Sequence, residues 1–140
     1  MTERFEFFDH TADIGVRVYG GSLAEVFKNA ACAMYETLGR LHKTETDIHK
    51  SVELHAESVE DLLHDWLADL LYEIEANHVL YDNFQFHEVT PSCLKATLHG
   101  GAIDFARSQT NEEIKAVTYH QLRVESQADG SWRATVIFDV

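Results

Sequence analysis

A chain of 140 residues, 45% hydrophobic and 11% aromatic, can bury one core, which excludes a disordered polymer and suits a single domain over 1–140. Its 24 acidic and 11 basic residues leave a formal charge of −13, which argues against direct nucleic-acid binding and against an anionic membrane surface. That charge fits solubility, a basic protein partner or a hard cation.

Residues 4–9 and 13–19 alternate as strands, and in the second Ile14, Val16 and Val18 share a face. Ser22 opens a helix with Glu25 three residues on as a capping box. Its apolar stripe is Leu23, Val26, Phe27, Ala30, Ala31, Met34 and Leu38, and Gly39 stops it. Cys32 lies opposite that stripe, with no general-base pattern to make it a nucleophile. Residues 50–56 form a further strand. Ser58, with Asp61 three residues on, opens a second helix whose stripe is Val59, Leu62, Leu63, Trp66, Leu67, Leu70, Leu71 and Ile74. The stripe covers one side only, so this helix is expected to lie on a sheet with water behind it.

Residues 78–88, 92–99, 114–125 and 131–139 are expected strands, and Asp129-Gly130 marks a hairpin between the last two. Residues 100–113, which contain Gly100-Gly101, are expected as a long polar loop. The pattern predicts an α+β domain: two helices packed on one face of a mixed, largely antiparallel sheet of about six or seven strands. The two cysteines, Cys32 and Cys93, form no zinc or CxxC spacing. No apolar run reaches membrane-helix length and residues 1–8 carry no leader pattern, so a cytoplasmic protein with reduced thiols is expected.

Four groups of residues carry chemistry. Residues 9–13 read Asp-His-Thr-Ala-Asp, where a turn between strands gathers oxygens suited to Ca²⁺ or Mg²⁺. Taken alone, this motif favours a plain turn in which Asp9 and Thr11 bond local backbone N–H groups. Asp139 and the terminal Val140 follow a strand directly, and if that strand lies beside 13–19, Asp13 and Asp139 can share an ion. Asp61, Asp65, Asp69 and Glu73 follow at i, i+4 along the second helix, a ridge that costs a few tenths of a kcal/mol per pair and suits a basic partner or plain solvation. In the strand from 114, Thr118 and His120 share one face while Lys115 and Tyr119 share the other, so the four cannot converge. There is no Walker loop, dinucleotide fingerprint or nucleophile elbow.

These segments resemble the archease family. DHTADIGVRVYG followed by GSLAEVFKNAACAMYE is similar to its N-terminal signature, DLLHDWLADLLYE to its second helix, and EIKAVTYHQLRVE with WRATVIFDV to its closing strands. The resemblance implies an accessory protein that is not itself an enzyme. Its partner would be the RtcB-type RNA ligase, which seals 2′,3′-cyclic-phosphate and 5′-hydroxyl RNA ends in tRNA splicing. The accessory protein promotes guanylylation of the ligase and its multiple turnover. It also implies a divalent-metal site, for Ca²⁺ with Mg²⁺ or Mn²⁺ as alternatives, on Asp13, Asp139 and Val140, with Asp9 as a further ligand or a turn residue. Asp61, Asp65, Asp69, Glu73, Lys115 and His120 are the candidate partner surface. The family pattern expects a His in the 100–113 loop where this chain has Ser108. Two rival readings are a chaperone-like accessory protein for another tRNA-processing or modification enzyme, and a hydrolase using Asp9, His10, Asp13 and Asp139.

Overall fold

Strand pairing in the computed structural model, which describes residues 4–10 and 12–140, follows the alternation of the sequence. In chain order the elements are β1 (Phe5–His10), β2 (Asp13–Gly20), α1 (Leu23–Leu38), β3 (Gly39–Arg40), β4 (Ile48–His55), α2 (Val59–Asn77), β5 (Val79–Val89), β6 (Cys93–Ala102), β7 (Gln109–Thr110), β8 (Ala116–Val117), β9 (Arg123–Ser126) and β10 (Trp132–Asp139). Six strands, β1, β2, β4, β5, β6 and β10, have six residues or more.

The fold is α+β with two helices on antiparallel sheets, and the strands divide where one sheet was expected. β1, β2 and β10 pair in that order, and the far edge of β10 takes both β9 and β8. A second sheet has the order β4-β6-β5, and β3 pairs with β7 in a short ribbon. β2 and β6 are interior strands, each paired along both edges within its own sheet. Every named pairing is antiparallel. β5 carries two register shifts against β6, at Tyr81/Asn83 and Phe86/Glu88.

Two sequence expectations are corrected. The strand expected over 114–125 is split into β8 and β9 by a turn in which Leu122 N–H donates to the Tyr119 carbonyl and Gln121 has φ +52°. The 100–113 segment is not one loop: β6 runs on to Ala102, and Gln109–Thr110 forms β7.

Both helices begin where the capping pattern places them. Ser22 Oγ accepts from Glu25 N–H at 3.2 Å and Ser58 Oγ from Asp61 N–H at 3.1 Å. The end of α1 is closed by β7 and the residues after it: Asn111 N–H donates to the Leu38 carbonyl at 2.8 Å and Glu112 N–H to that of Thr37 at 3.3 Å. Gly39 has φ +139°, and a Cβ there would press into the Gln109 carbonyl, so the ribbon closes on α1 only with glycine.

Trp66 of α2 joins the layers. Its indole N–H donates to the Phe27 carbonyl of α1 at 3.0 Å, and its ring packs on Phe84 and Phe86 of β5. Phe27, Met34, Leu62, Leu63, Leu67, Leu94 and Phe138 surround this junction as fully buried core. Among the described residues, no helix is long and apolar enough to cross a membrane.

Candidate functional site

The β2–β10 register sets Asp13 directly opposite Asp139. Directly opposed residues on antiparallel strands have Cβ atoms roughly 5 Å apart, where like charges repel. The neighbours in register, Ile14 and Phe138, belong to the opposite face, and Phe138 is wholly buried in the core. The carboxylate pair therefore lies on the outer face of the sheet, at the end where β1 turns into β2. His10 pairs with Asp13 across that hairpin. Thr11 and the side chain of His10 lie outside the described residues, so the local bonds expected of Thr11 do too.

The row beside the pair is occupied by Phe8, whose ring lies over Gly15. The Arg17 guanidinium sits 4.3 Å from the centre of that ring and bonds Glu6 at 3.2 Å. Asp139 also holds the neighbouring segment through its backbone, since its carbonyl accepts from Lys115 N–H at 2.7 Å. Val140 follows, half-buried, with its side chain against the core.

Two opposed carboxylates at a strand end offer hard oxygen donors, the type Ca²⁺, Mg²⁺ and Mn²⁺ select. Among the described residues no three His, Cys, Asp or Glu side chains stand close enough to hold a metal ion. An ion on Asp13 and Asp139 would complete its shell with main-chain oxygens or water.

Asp9 is not brought to this pair. It faces Ile14 across the β1–β2 ladder and lines a separate cavity of about 450 Å³ with Phe7, Glu36, Thr37 and Asn111. Sequence reasoning overlooked Glu36 and Asn111, which no local motif distinguishes and which only the closure of α1 by residues 109–112 assembles.

The acidic ridge also divides. Asp61, Asp65 and Asp69 are half-buried on α2. Burial, with Asp65 and Glu73 beside it, holds the Asp69 carboxyl above the usual carboxylate range against the pull of Lys50. Glu73 does not belong to a partner surface: it is 7% exposed and accepts from Lys50 Nζ at 3.3 Å and from Asn77 Nδ2 at 3.1 Å. It ties α2 to β4 instead.

Lys115 and His120 are exposed on the segment that flanks β10. That segment is clasped to α2 by His64, a residue sequence reasoning also missed. His64 Nε2–H donates to the Val117 carbonyl at 3.0 Å, and its ring stacks on Tyr119 at 4.1 Å between centres. With Nδ1 unprotonated, that nitrogen accepts the Tyr119 hydroxyl at 3.1 Å; protonated, it donates to Asp65 at 3.1 Å. Partial burial and the charges of Asp65 and Asp61 push the Tyr119 hydroxyl above its ordinary pKa. Glu60 adds a second tie, accepting from Val124 N–H at 2.9 Å.

Ser108 is a brace. Its hydroxyl donates to the Asp104 carbonyl at 2.7 Å and accepts from His42 N–H at 2.9 Å. A cavity of about 650 Å³ between Tyr19, Trp132 and Asp129 lies at the far end of β2 and holds none of the sequence-predicted site residues.

Comparison with known proteins places these features in a family. The model of the archease protein family (MTH1598/TM1083) matches residues 5–140. An archease of Pyrococcus abyssi is 35% identical over 141 residues, covering 99% of each chain. The solution structure of protein 1598 of Methanobacterium thermoautotrophicum superposes with a TM-score of 0.74 at 30% identity, over 98% of this chain and 99% of that one. A crystal structure from Thermotoga maritima, described as an archease and possible chaperone, gives a TM-score of 0.69 at 26% identity, over 95% and 94%.

Proposed function

The chain belongs to the archease family, and from that membership we propose that it is an accessory protein which activates an RtcB-type tRNA-splicing RNA ligase without being an enzyme itself. It promotes guanylylation of the ligase and multiple turnover. The observation that carries this reading is the cross-strand pair of Asp13 and Asp139 at the open end of the sheet. On this reading these positions, with Val140 beside them, hold a divalent-cation site.

The cation, Ca²⁺ or in its place Mg²⁺ or Mn²⁺, supplies positive charge that offsets the repulsion of two facing carboxylates. The chain supplies position. β2 and β10 are central neighbours in the sheet, so both carboxylates stand on rigid backbone and do not depend on a loop. Presented to a ligase cleft, such a tip shifts the ligase only to the extent that it binds one ligase state more tightly than another.

The test is ligation of 2′,3′-cyclic-phosphate RNA by the cognate ligase at limiting concentration, with wild type or Asp139→Ala. Stimulation by the wild type and its loss in a folded variant are expected. Absence of wild-type stimulation overturns the reading. The second reading is a chaperone-like helper of another tRNA-processing enzyme, and the chaperone part of it has support in the Thermotoga maritima relative, described as a possible chaperone. It predicts recovery of a different client when the protein is used as bait.

A further inference from the structure

Both helices end at the same place. Leu38 closes α1, and Ile74 and Glu75 belong to the last turn of α2. Neither last turn carries a basic residue that could neutralise an acidic rim. Between the two ends lies an apolar cleft of about 350 Å³. Its floor is Leu38, Ile103 and Ile114, all buried, and its walls are the half-buried Leu41 and Ile74.

The rim of the cleft is acidic. Glu75, Glu112 and Glu113 stand around it, and none of their side chains makes an ion pair among the described residues. Phe105 lines it too and is 59% exposed, an uncommon position for a ring of that size. Phe105 is held in place: it packs edge-on against His78 at 5.2 Å, and the turn carrying it is tied by Ser108 to Asp104 and to His42. An apolar anchor point that is already ordered loses little entropy on binding.

We propose that this cleft seats a basic segment of the partner ligase, with one apolar side chain entering between Leu41, Ile74 and Phe105 and flanking Lys or Arg side chains meeting Glu75, Glu112 and Glu113. Charge complementarity selects that occupant: three glutamates, unpaired among the described residues, rim a single apolar cleft. A second copy of the chain is disfavoured, because it brings a net charge of −13 against the same glutamates. Asn111 lines both this cleft and the cavity of Asp9 and Glu36, so the acidic band continues towards the β1–β2 hairpin. The inference rests on the ligase reading and adds the surface and the chemistry of the contact.

The experiment measures binding of the intact ligase to full-length protein. The forms compared are wild type, Glu112→Lys with Glu113→Lys, Phe105→Ser, and a control, Glu57→Lys with Glu125→Lys, which makes the same charge change at exposed sites outside the cleft. Circular dichroism and melting temperature establish that each form is folded. The cleft variants should each weaken binding roughly tenfold or more while the control changes it less than about twofold. Equal weakening by the control overturns the cleft in favour of long-range charge. Unchanged binding by the cleft variants, with stimulation still dependent on Asp139, overturns the cleft alone. No ligase binding by the wild type overturns the cleft and the ligase reading together.

Discussion

At Glu73 a helix geometry argument resolves a residue that spacing alone misplaced. Each i, i+4 step along a helix advances about 40° beyond a full turn, so three steps from Asp61 to Glu73 rotate the row by about 120°. The row that begins at the surface thus ends under β4, where Lys50 meets it. Nothing local announces Lys50, which is 23 residues away. Asp69, one turn earlier, is caught between the two environments. Its raised pKa fixes a sign: the stability tied to this group is fully present below the ordinary carboxylate pKa of about 3.9 and is lost as pH rises through the higher folded value. Asp69→Asn should therefore raise the melting temperature at neutral pH, and thermal scans at about pH 3 should show that gain gone. Gly39 is a residue whose role is steric. Gly39→Ala should cost about 2–4 kcal/mol in urea unfolding, because its positive φ and the Gln109 carbonyl both exclude a methyl group.

The helices are the elements the sequence specifies most fully, because each has an apolar period, a serine cap and a defined stop. Ser58→Ala should lower unfolding free energy by about 1 kcal/mol and Ser22→Ala by a similar amount. The caps belong to different helices, so the double variant should be additive within about 0.5 kcal/mol, which denaturant titration of all forms checks. The segment 114–125 was less legible. Ile114, Val117 and Val124 are buried and invite a continuous strand, yet Tyr119-His120-Gln121-Leu122 turns without a Gly, Pro, Asn or Asp to signal it. His64 and Glu60 on α2 hold the backbone at Val117 and Val124 on either side of the turn, tertiary contacts that no local pattern encodes. The same holds for β3 and β7, two-residue strands whose pairing is set by where α1 ends.

For the molecule as a whole, apolar alternation indicated how many long strands to expect but not how they partition, since pairing partners depend on contacts far apart in sequence. The carboxylate pair shows the limit well. Asp13 and Asp139 are 126 positions apart, and their meeting was conditional on one strand pairing that the structure contains. Asp9, close in sequence to Asp13, points to a different cavity because neighbouring strand residues alternate faces. The global charge of −13 governs how such a surface meets a basic partner. Association with the ligase should slow by about an order of magnitude between 0.05 and 0.5 M salt, while dissociation changes much less, as stopped-flow mixing can measure.

The two register shifts in β5 bear on what happens when the protein is concentrated. β5 is an outer strand with an open edge, the kind of surface on which chains add to one another and form fibrils. Each shift interrupts the outward row of amide and carbonyl groups and adds local twist. An incoming strand thus finds no long straight template, and this open edge is guarded against self-templating by its own irregularity.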